Sequence, residues 1–588
     1  MLASDYIVNF LHQKGITDVF GYPGGMVTYL MDSLDRCQTA PVAHICYHEQ
    51  ACSMAACGWA EIKHLPGVAY ATSGPGATNL LTGIACAYFE SLPAIFITGQ
   101  VNTYEMKGAL SVRQRGFQET DIVSMAKPIT KMAVCIKDAS SIPQVLEEAF
   151  QTAMDGRPGP VLLDIPMNIQ RTDIDPDKGL DKRSNLMRSK SKRADADMAA
   201  EEIVNALKTA QFPLILAGHG IRTSGQRADL EQFVHQTGIP VITSMIAVDV
   251  LPSDDPYMFG FVGAYGARHA NWMVNHCDFL LALGSRMDCR QTGGNKALFA
   301  PYAKLYRVDV DEGELTNRIH DDEHQFVVKL EDLLPALLKK TQNIQLHLDK
   351  WTALCARVKE RLEGVDAANP GNEAAKTLSA LVRSPSYIVT DVGQNQVWIA
   401  QSFLVSKGQS ILFSGGHGAM GYALPAAIGV SLASPGIPVL CCTGDGGLQM
   451  NIQEMQTVIR EHLPIKIVLF NNHALGMIHH FQEMYFASNY MQTDASKGFT
   501  TPDFCAIARA YGWRVARWGE QESARLSQWL ADDEPLFLEI ALPQSTHVFP
   551  KLGLNKPIHE QEPPVDPAIF SELETELSAL QNGREEKS

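Results

Sequence analysis

Gly444-Asp445-Gly446-Gly447 and Asn471-Asn472 are the residues whose types and spacing most directly imply chemistry. Residues 438–443 read as a buried strand, 444–447 as a tight turn, 451–461 as a helix and 465–470 as the next strand. In a right-handed βαβ crossover both strand ends emerge on one edge of the sheet, so Asp445 and Asn472 face the same crevice. Glycines flanking Asp445 (Gly444, Gly446, Gly447) let the backbone approach a diphosphate, and the N-terminus of the following helix favours its charge. Mg²⁺ is hard and octahedral, so one carboxylate (Asp445), one amide oxygen (Asn472) and a backbone carbonyl, placed at Ala474, suit it together with diphosphate oxygens. A bare Gly-Asp-Gly is more often an ordinary turn; the asparagine pair one crossover later turns it into a candidate site.

A second candidate is Glu49, at the end of an expected strand over 42–47 and just before a small-residue helix over 51–60. In isolation it reads as readily as a carboxylate placed to meet a helix macrodipole. Further polar motifs accompany these two. They are Gly21-Tyr22-Pro23-Gly24-Gly25, His48-Glu49-Gln50, Thr72-Ser73-Gly74-Pro75-Gly76-Ala77-Thr78-Asn79 and Gly116-Phe117-Gln118-Glu119 near the N-terminus. Asp391-Val392-Gly393-Gln394-Asn395-Gln396, Gly418-Ala419-Met420-Gly421 and Leu475-Gly476-Met477 surround the Gly-Asp-Gly. Gly-Asp-Gly followed by Asn-Asn is the thiamine-diphosphate signature, and with these motifs nearly the whole chain resembles the large subunit of acetolactate synthase and its relatives.

The resemblance implies a thiamine-diphosphate, Mg²⁺-dependent enzyme that decarboxylates a 2-oxo acid such as pyruvate and adds the two-carbon unit to a second carbonyl. It implies that Glu49 bonds N1′ of the aminopyrimidine and promotes loss of the thiazolium C2 proton, a task for a largely desolvated carboxyl group. Gln118 and Phe117 would approach the reacting centre, although Phe117 reads equally as core. Met420 would prop the bent cofactor between its rings, or simply fill the core. Gln394 and Asn395 would contact the diphosphate, where they otherwise read as a polar turn, and Leu475, Gly476 and Met477 would complete that cradle. In the middle segment Gly218-His219-Gly220, Gly284-Ser285-Arg286, Arg290 and Asp309-Val310-Asp311-Glu312 lie at strand ends, where a dinucleotide rests. The family implies FAD there, cradled by Gly218, Gly220, Gly284, Arg286, Arg290, Asp309 and Asp311. Arg290 reads alternatively as a bidentate partner of the acceptor's carboxylate.

Two stretches depart from the family. Lys329-Leu330 stands where Gly-Asp is common, and Phe481 stands where biosynthetic members, which serve branched-chain amino acid biosynthesis, carry Trp against the substrate. The ending Phe549-Pro550-Lys551-Leu552 resembles relatives that extend nucleotide-linked keto sugars, so that acceptor stands as an alternative to a 2-oxo acid. A flavin oxidoreductase of the pyruvate-oxidase kind, a plain decarboxylase and a catalytically inert relative are the other classes. The presence of Glu49, Asp445 and Asn472 argues against the last.

Positioning these residues takes several domains, because 588 residues exceed what one core of about 150 to 200 residues supports. Short apolar runs ending in Gly-rich turns recur in three segments, which predicts an α/β protein of three Rossmann-like parallel-sheet domains. The expected boundaries are 1–171 for the pyrimidine domain, 197–345 for the central domain, 373–552 for the diphosphate and Mg²⁺ domain, and 553–588 for a tail disordered from Asn582. Strands are expected at 213–217, 240–243, 279–283 and 304–308 in the central domain. Linkers fall at 172–196, with the basic run from Arg188 to Arg193, and at 363–372. Apolar residues are 45% and charged residues 19% of the chain, as in soluble globular proteins with large cores. A formal charge of −16 opposes a nucleic-acid partner and favours a small-molecule substrate, for which the resemblance implies 2-oxo acids. Twelve scattered cysteines without a Cys-x-x-Cys pair fit a reducing compartment. No apolar run reaches membrane-spanning length and no leader pattern is seen, so a cytoplasmic protein is expected. The family implies a homodimer or homotetramer with sites shared between subunits, and a possible small regulatory subunit.

Overall fold

In the computed structural model, which describes residues 1–175, 194–553 and 555–585, three six-stranded parallel sheets succeed one another along the chain. The basic run at 188–193 lies outside the described residues. The first sheet uses β1 (Asp18–Gly21), β2 (Val42–Ile45), β3 (Gly67–Ala71), β4 (Ala94–Gln100), β5 (Met132–Cys135) and β6 (Pro160–Pro166). The second uses β7 (Pro213–Ala217), β8 (Val241–Thr243), β9 (Met258–Phe261), β10 (Phe279–Leu283), β11 (Lys304–Asp309) and β12 (His324–Val327). The third uses β13 (Ser386–Thr390), β14 (Gln409–Phe413), β15 (Val439–Gly444), β16 (Ile465–Asn471), β17 (Arg514–Arg517) and β18 (Leu536–Ala541). Central strands such as β4, β7, β10 and β16 are buried along their whole length. That is why they read as mainly apolar runs rather than as alternating ones, with Lys466 in β16 buried but held by Asp532.

The first and third sheets share one order, β2-β1-β3-β4-β6-β5 and β14-β13-β15-β16-β18-β17, whereas the second runs β12-β11-β10-β7-β8-β9. In each, successive crossovers leave a starting strand in opposite directions. A crevice therefore opens at the strands' carboxyl ends between β1 and β3, between β7 and β10, and between β13 and β15, which is where open α/β sheets hold ligands.

The first and third sheets are clamped by two helices of small residues, Glu49–Lys63 and Ala423–Ala433. A β-carbon added at Gly58 would stand 2.1 Å from the Ala426 carbonyl oxygen, and one at Gly429 would stand 1.9 Å from that of Ala55. The two backbones touch, and their buried residues belong to one continuous core. His44 bridges the same two sheets, with Nε2 2.9 Å from Asp18 Oδ1 and Nδ1 3.2 Å from Glu461 Oε2. Burial alone would lower its pKa, but the two carboxylates outweigh burial and raise it to about 9.

Several local expectations change. The segment 444–447 is not a free turn, because a helix begins at Asp445 and runs to Met450. The expected helix over 451–461 is a short 3-10 turn, Ile452–Glu454, followed by Met455–Arg460. The helix expected over 51–60 spans Glu49–Lys63, with His48 Nδ1 accepting from Gln50 N at its start. β9 and β12 escaped prediction, being four-residue edge strands, β9 interrupted by Gly260 at a φ of 73° and β12 of mixed polarity. Much of the expected tail is the helix Pro567–Glu585, whose Leu573 and Leu577 are buried with Trp351, Leu354 and Val358 of the helix Asp349–Glu363. The charged end from Asn582 thus starts inside this helix, while 586–588 lie outside the described residues. Among the described residues no helix is long and apolar enough to cross a membrane.

Candidate active site

At the β13–β15 crevice the loop residues that sequence set far apart converge on two buried aspartates. Asp391 accepts from Val392 N (2.8 Å), Gly421 N (2.9 Å) and Thr443 Oγ1 (3.0 Å), which ties the Met420 loop to both strands. Asn395 donates to the Asp391 and Cys442 carbonyls at 2.9 and 3.3 Å. Asp445 accepts from Gly446 N at 2.7 Å and from Ala474 N at 3.1 Å. Burial pushes both carboxyl groups up to about 6 against these donors, so a cation seated on Asp445 would restore its charge. His473 adopts a left-handed φ of 55°, and this turn brings the Ala474 amide back to Asp445 and to Asn472 Oδ1, 3.3 Å away.

The glycines here are fixed by crowding. A β-carbon at Gly476 would stand 1.9 Å from Gln394 Oε1, one at Gly447 2.8 Å from Asp391 Cγ, and one at Gly446 2.6 Å from Leu475 Cδ2 and 3.1 Å from Met420 Cε. Asn472 Nδ2 donates to Gln394 Oε1 at 2.9 Å, while the buried Gln394 Nε2 has no partner among the described residues. An unsatisfied buried donor beside side-chain-free backbone is what an anionic ligand would complete. The Ala474 carbonyl accepts from Gly476 N at 2.9 Å and keeps a second lone pair. Among the described residues no group of three or more His, Cys, Asp or Glu is arranged for a metal. A cation here would need the mixed set of Asp445, Asn472 and the Ala474 carbonyl, which fits hard, oxygen-seeking Mg²⁺. Leu475 and Met477 are half-buried at the start of the helix Gly476–Tyr485.

At the β1–β3 crevice Glu49 Oε2 accepts from Asn79 Nδ2 at 2.9 Å, and a β-carbon at Gly76 would stand 3.1 Å from Oε1. Met26 N donates to Thr72 Oγ1 at 3.2 Å, drawing the loop after β1 onto the loop after β3. Gln118, with φ of 64°, lies against Gly74, where an added β-carbon would meet its Cβ at 2.9 Å. The loop is pinned by Glu119, whose carboxylate accepts from the amides of Lys107, Arg115 and Gly116. The four N-terminal motifs thus meet at one edge. Two details differ from expectation. Glu49 is half-buried rather than desolvated, and Phe117 is 79% exposed rather than core.

The β7–β10 crevice opens into a cavity of about 310 Å³ with walls from all three sheets' domains. Gly220, Gly284, Arg286, Arg290 and Asp309 line it. Gly284 has φ of 57°, and its carbonyl oxygen would stand 2.1 Å from a β-carbon at Gly218. Burial raises Asp309 to about 6 despite the Asp311 amide on its Oδ1 at 2.9 Å. A carboxylate at this strand end is the group that meets ribose hydroxyls in dinucleotide folds. Gly218 and Asp311 stand behind the wall, Gly218 packed on Gly284 and Asp311 capping the helix Glu312–Leu315. Arg286 pairs with Asp288, and Arg290 lies 5.8 Å over the Tyr265 ring. Sequence reasoning missed Glu90 and Arg157 of the first domain, which also line the cavity. Glu90 is pushed up to about 7 by burial, opposed by the Gly416 and His417 amides it accepts from. Arg157 pairs with Glu314 and Asp311. No local motif marks either residue, because their partners come from another domain.

Three family models match in succession: the thiamine pyrophosphate enzyme N-terminal TPP binding domain over residues 1–125, the central domain over 200–337 and the C-terminal TPP binding domain over 391–540. Together with the glycine-lined Asp445 and Asn472 crevice, they define a thiamine-pyrophosphate-dependent enzyme. Over 559 residues the chain is 34% identical to the acetolactate synthase isozyme 2 large subunit of Escherichia coli K12, covering 94% of this chain and 97% of the relative. It is 33% identical to the acetolactate synthase large subunit of Lactococcus lactis, with 94% of each covered. Identity is 34% to the probable acetolactate synthase large subunit of Methanocaldococcus jannaschii, with 92% of each covered. The chain belongs to the acetolactate synthase large-subunit family.

Proposed function

We propose that the protein is an acetolactate-synthase-like carboligase, which releases CO₂ from pyruvate and joins the remaining two-carbon unit to the carbonyl of a second 2-oxo acid. The observation that carries this reading is the Asp445, Asn472 and Ala474 set beside the unsatisfied Gln394 donor, together with relatives of that name along nearly the whole chain. Asp445, Asn472 and the Ala474 carbonyl would hold Mg²⁺. Gln394, Asn395 and the backbone of Gly444, Gly446, Gly447 and Gly476 would hold the diphosphate, with Met420, Leu475 and Met477 as apolar walls. When bound, thiamine diphosphate supplies the carbon nucleophile and the electron sink for decarboxylation. Glu49 takes and returns protons at its Oε1, while Asn79 fixes the carboxyl through Oε2. Gln118 and Phe117 border that reacting space, and Arg290 meets the acceptor's carboxylate.

FAD would occupy the β7–β10 cavity, with Asp309 toward its ribose and Gly220, Gly284 and Arg286 along its phosphates. The open faces of Glu49 and Phe117 favour a homodimer or larger homo-oligomer in which a second copy covers them. The name large subunit, borne by the relatives, favours a smaller regulatory partner as well. The test is mass spectrometry of products from pyruvate alone and from pyruvate with 2-oxobutyrate. Acetolactate and its ethyl homologue are expected, whereas acetaldehyde or acetate as the sole product refutes carboligation. An active species that sediments as a monomer refutes the shared site.

A further inference from the structure

The departure at Phe549-Pro550-Lys551-Leu552 lands beside the helix that carries Phe481. Lys551 Nζ lies 5.9 Å from the Phe481 ring centroid, 5.8 Å from that of Tyr485 and 3.3 Å from Met484 Sδ. The lysine is half-buried, and burial lowers its pKa with no carboxylate opposing the shift. Among the described residues no Asp or Glu pairs with its ammonium, and none pairs with the Arg290 guanidinium. Nearby ion pairs are Arg286 with Asp288, Glu483 with His547 and Lys556 with Glu560, while Glu562, opposite Lys551 in a short antiparallel ladder, makes no ion pair with it.

Backbone bonds hold the two unpaired cations on one wall. Leu552 N donates to the Ala264 carbonyl at 2.7 Å, and Ala264 N donates to the Arg290 carbonyl at 2.8 Å. Tyr265, beneath Arg290, has its pKa raised by burial and further by the nearness of Tyr485, the ring beneath Lys551. The result is an aromatic shelf of Tyr265, Phe481 and Tyr485 with a guanidinium at one end and an ammonium at the other. Desolvating a cation without a partner is costly. An anion beside half-buried Lys551 recovers that cost, the exposed Arg290 guanidinium offers a second anion an unpaired partner, and the aromatic rings between them present a flat apolar face.

We propose that Lys551 and Arg290 form a two-cation acceptor mouth, so the preferred acceptor is an oxo compound bearing a second anionic group beyond the one that Arg290 meets. This deepens the carboligase reading and rests on it. The second anion belongs to a 2-oxo dicarboxylate or to the diphosphate of a nucleotide-linked keto sugar, and the two probes separate these sources.

The experiment uses the full chain loaded with thiamine diphosphate and Mg²⁺ and carrying Glu49→Gln to prevent turnover. Calorimetry measures its affinity for 2-oxobutyrate, 2-oxoglutarate and a nucleoside-diphosphate 4-keto sugar. At least one of the last two should bind tenfold or more tightly than 2-oxobutyrate. Lys551→Met, which keeps the apolar stem on the rings, should erase that preference, and Lys551→Arg should restore most of it. Lys556→Met removes an equal charge from a paired surface lysine and should change nothing. Equal affinity for all three ligands, or an equal loss for all three in Lys551→Met, overturns the proposal. CO₂ release from pyruvate by the chain with Glu49 intact is read in parallel. Release without any dianion preference sinks the mouth alone, whereas failure of release sinks the carboligase reading while leaving a Lys551-dependent preference as evidence for the mouth.

Discussion

Replacing Glu49 by Gln separates holding the cofactor from activating it. The Gln side chain retains an oxygen for Asn79 Nδ2, which now lies 2.9 Å from Oε2, and fits the same space against Gly76. What changes is the charge and the ability to exchange a proton. A hydrogen bond to a charged group contributes about 1.5–3 kcal/mol and a neutral one about 0.5–1.5, so cofactor affinity should fall by about 1 kcal/mol, roughly fivefold. Loss of a positioned proton carrier costs about 10²- to 10⁴-fold in rate, or about 3–5 kcal/mol in the barrier. At the first turn of the helix Glu49–Lys63 the lost carboxylate also forfeits about 0.3–1 kcal/mol of macrodipole interaction, a shift of at most about 4 °C in a domain of this size. The assays are CO₂ release from pyruvate, tryptophan fluorescence during thiamine diphosphate titration, and thermal unfolding. A variant that turns over within tenfold of the parent, or one that loses cofactor affinity in proportion to rate, refutes the proton-carrying role.

Gly58→Ala drives a β-carbon into the Ala426 carbonyl at 2.1 Å; overpacking of about 1–3 kcal/mol should lower the apparent Tm by about 3–10 °C, and an unchanged melting curve would contradict the helix contact. His44 makes stability depend on pH with a definite sign. Its folded pKa is raised from 6.5 to about 9, so its contribution of about 1–3 kcal/mol is complete below pH 6.5 and is lost as pH rises through 9. The parent should therefore lose more Tm between pH 6 and 9.5 than His44→Gln, and equal losses count against the bridge. Phe481, 47% exposed on the helix after the asparagine pair, should tune acceptor choice. Phe481→Trp should raise the yield of the 2-oxobutyrate product over acetolactate in mixed-substrate reactions by up to about tenfold, within the range one methylene allows. An unchanged ratio with both products present would place Phe481 outside the acceptor pocket.

What the sequence made legible was local chemistry repeated at strand ends. β7 and β10 fall at their expected bounds because their runs are buried on both faces, while at the sheet edges β12 lacks that pattern and β9 is cut short by Gly260 and a register shift. Asp445 and Asn472 were legible because one crossover separates them, and their crevice is set by strand order alone. The bond from Gly421 to Asp391 was not, since it joins the loops after β14 and β13, brought together only when those strands pair. Nor were Glu90 and Arg157, whose place in the cavity wall arises only where the first domain meets the other two. The helix Pro567–Glu585 was read as tail because its first turns follow a Pro- and Glu-rich stretch. Its apolar stripe, Leu573 and Leu577 with Ile569, Phe570 and Leu580 partly buried beside them, finds its partner only in the distant helix Asp349–Glu363.

We propose that this chain makes a carbon–carbon bond from pyruvate with thiamine diphosphate and Mg²⁺ held at Asp445 and Asn472. The most direct measurement is the balance of pyruvate consumed, CO₂ released and product mass, for the purified chain stripped of metal and cofactor and then reconstituted. The stripped protein should show no turnover and, after both are restored, two pyruvates should be consumed for each CO₂, with acetolactate as product. One CO₂ per pyruvate with aldehyde or acetate as product, or turnover indifferent to Mg²⁺ and thiamine diphosphate, would contradict it.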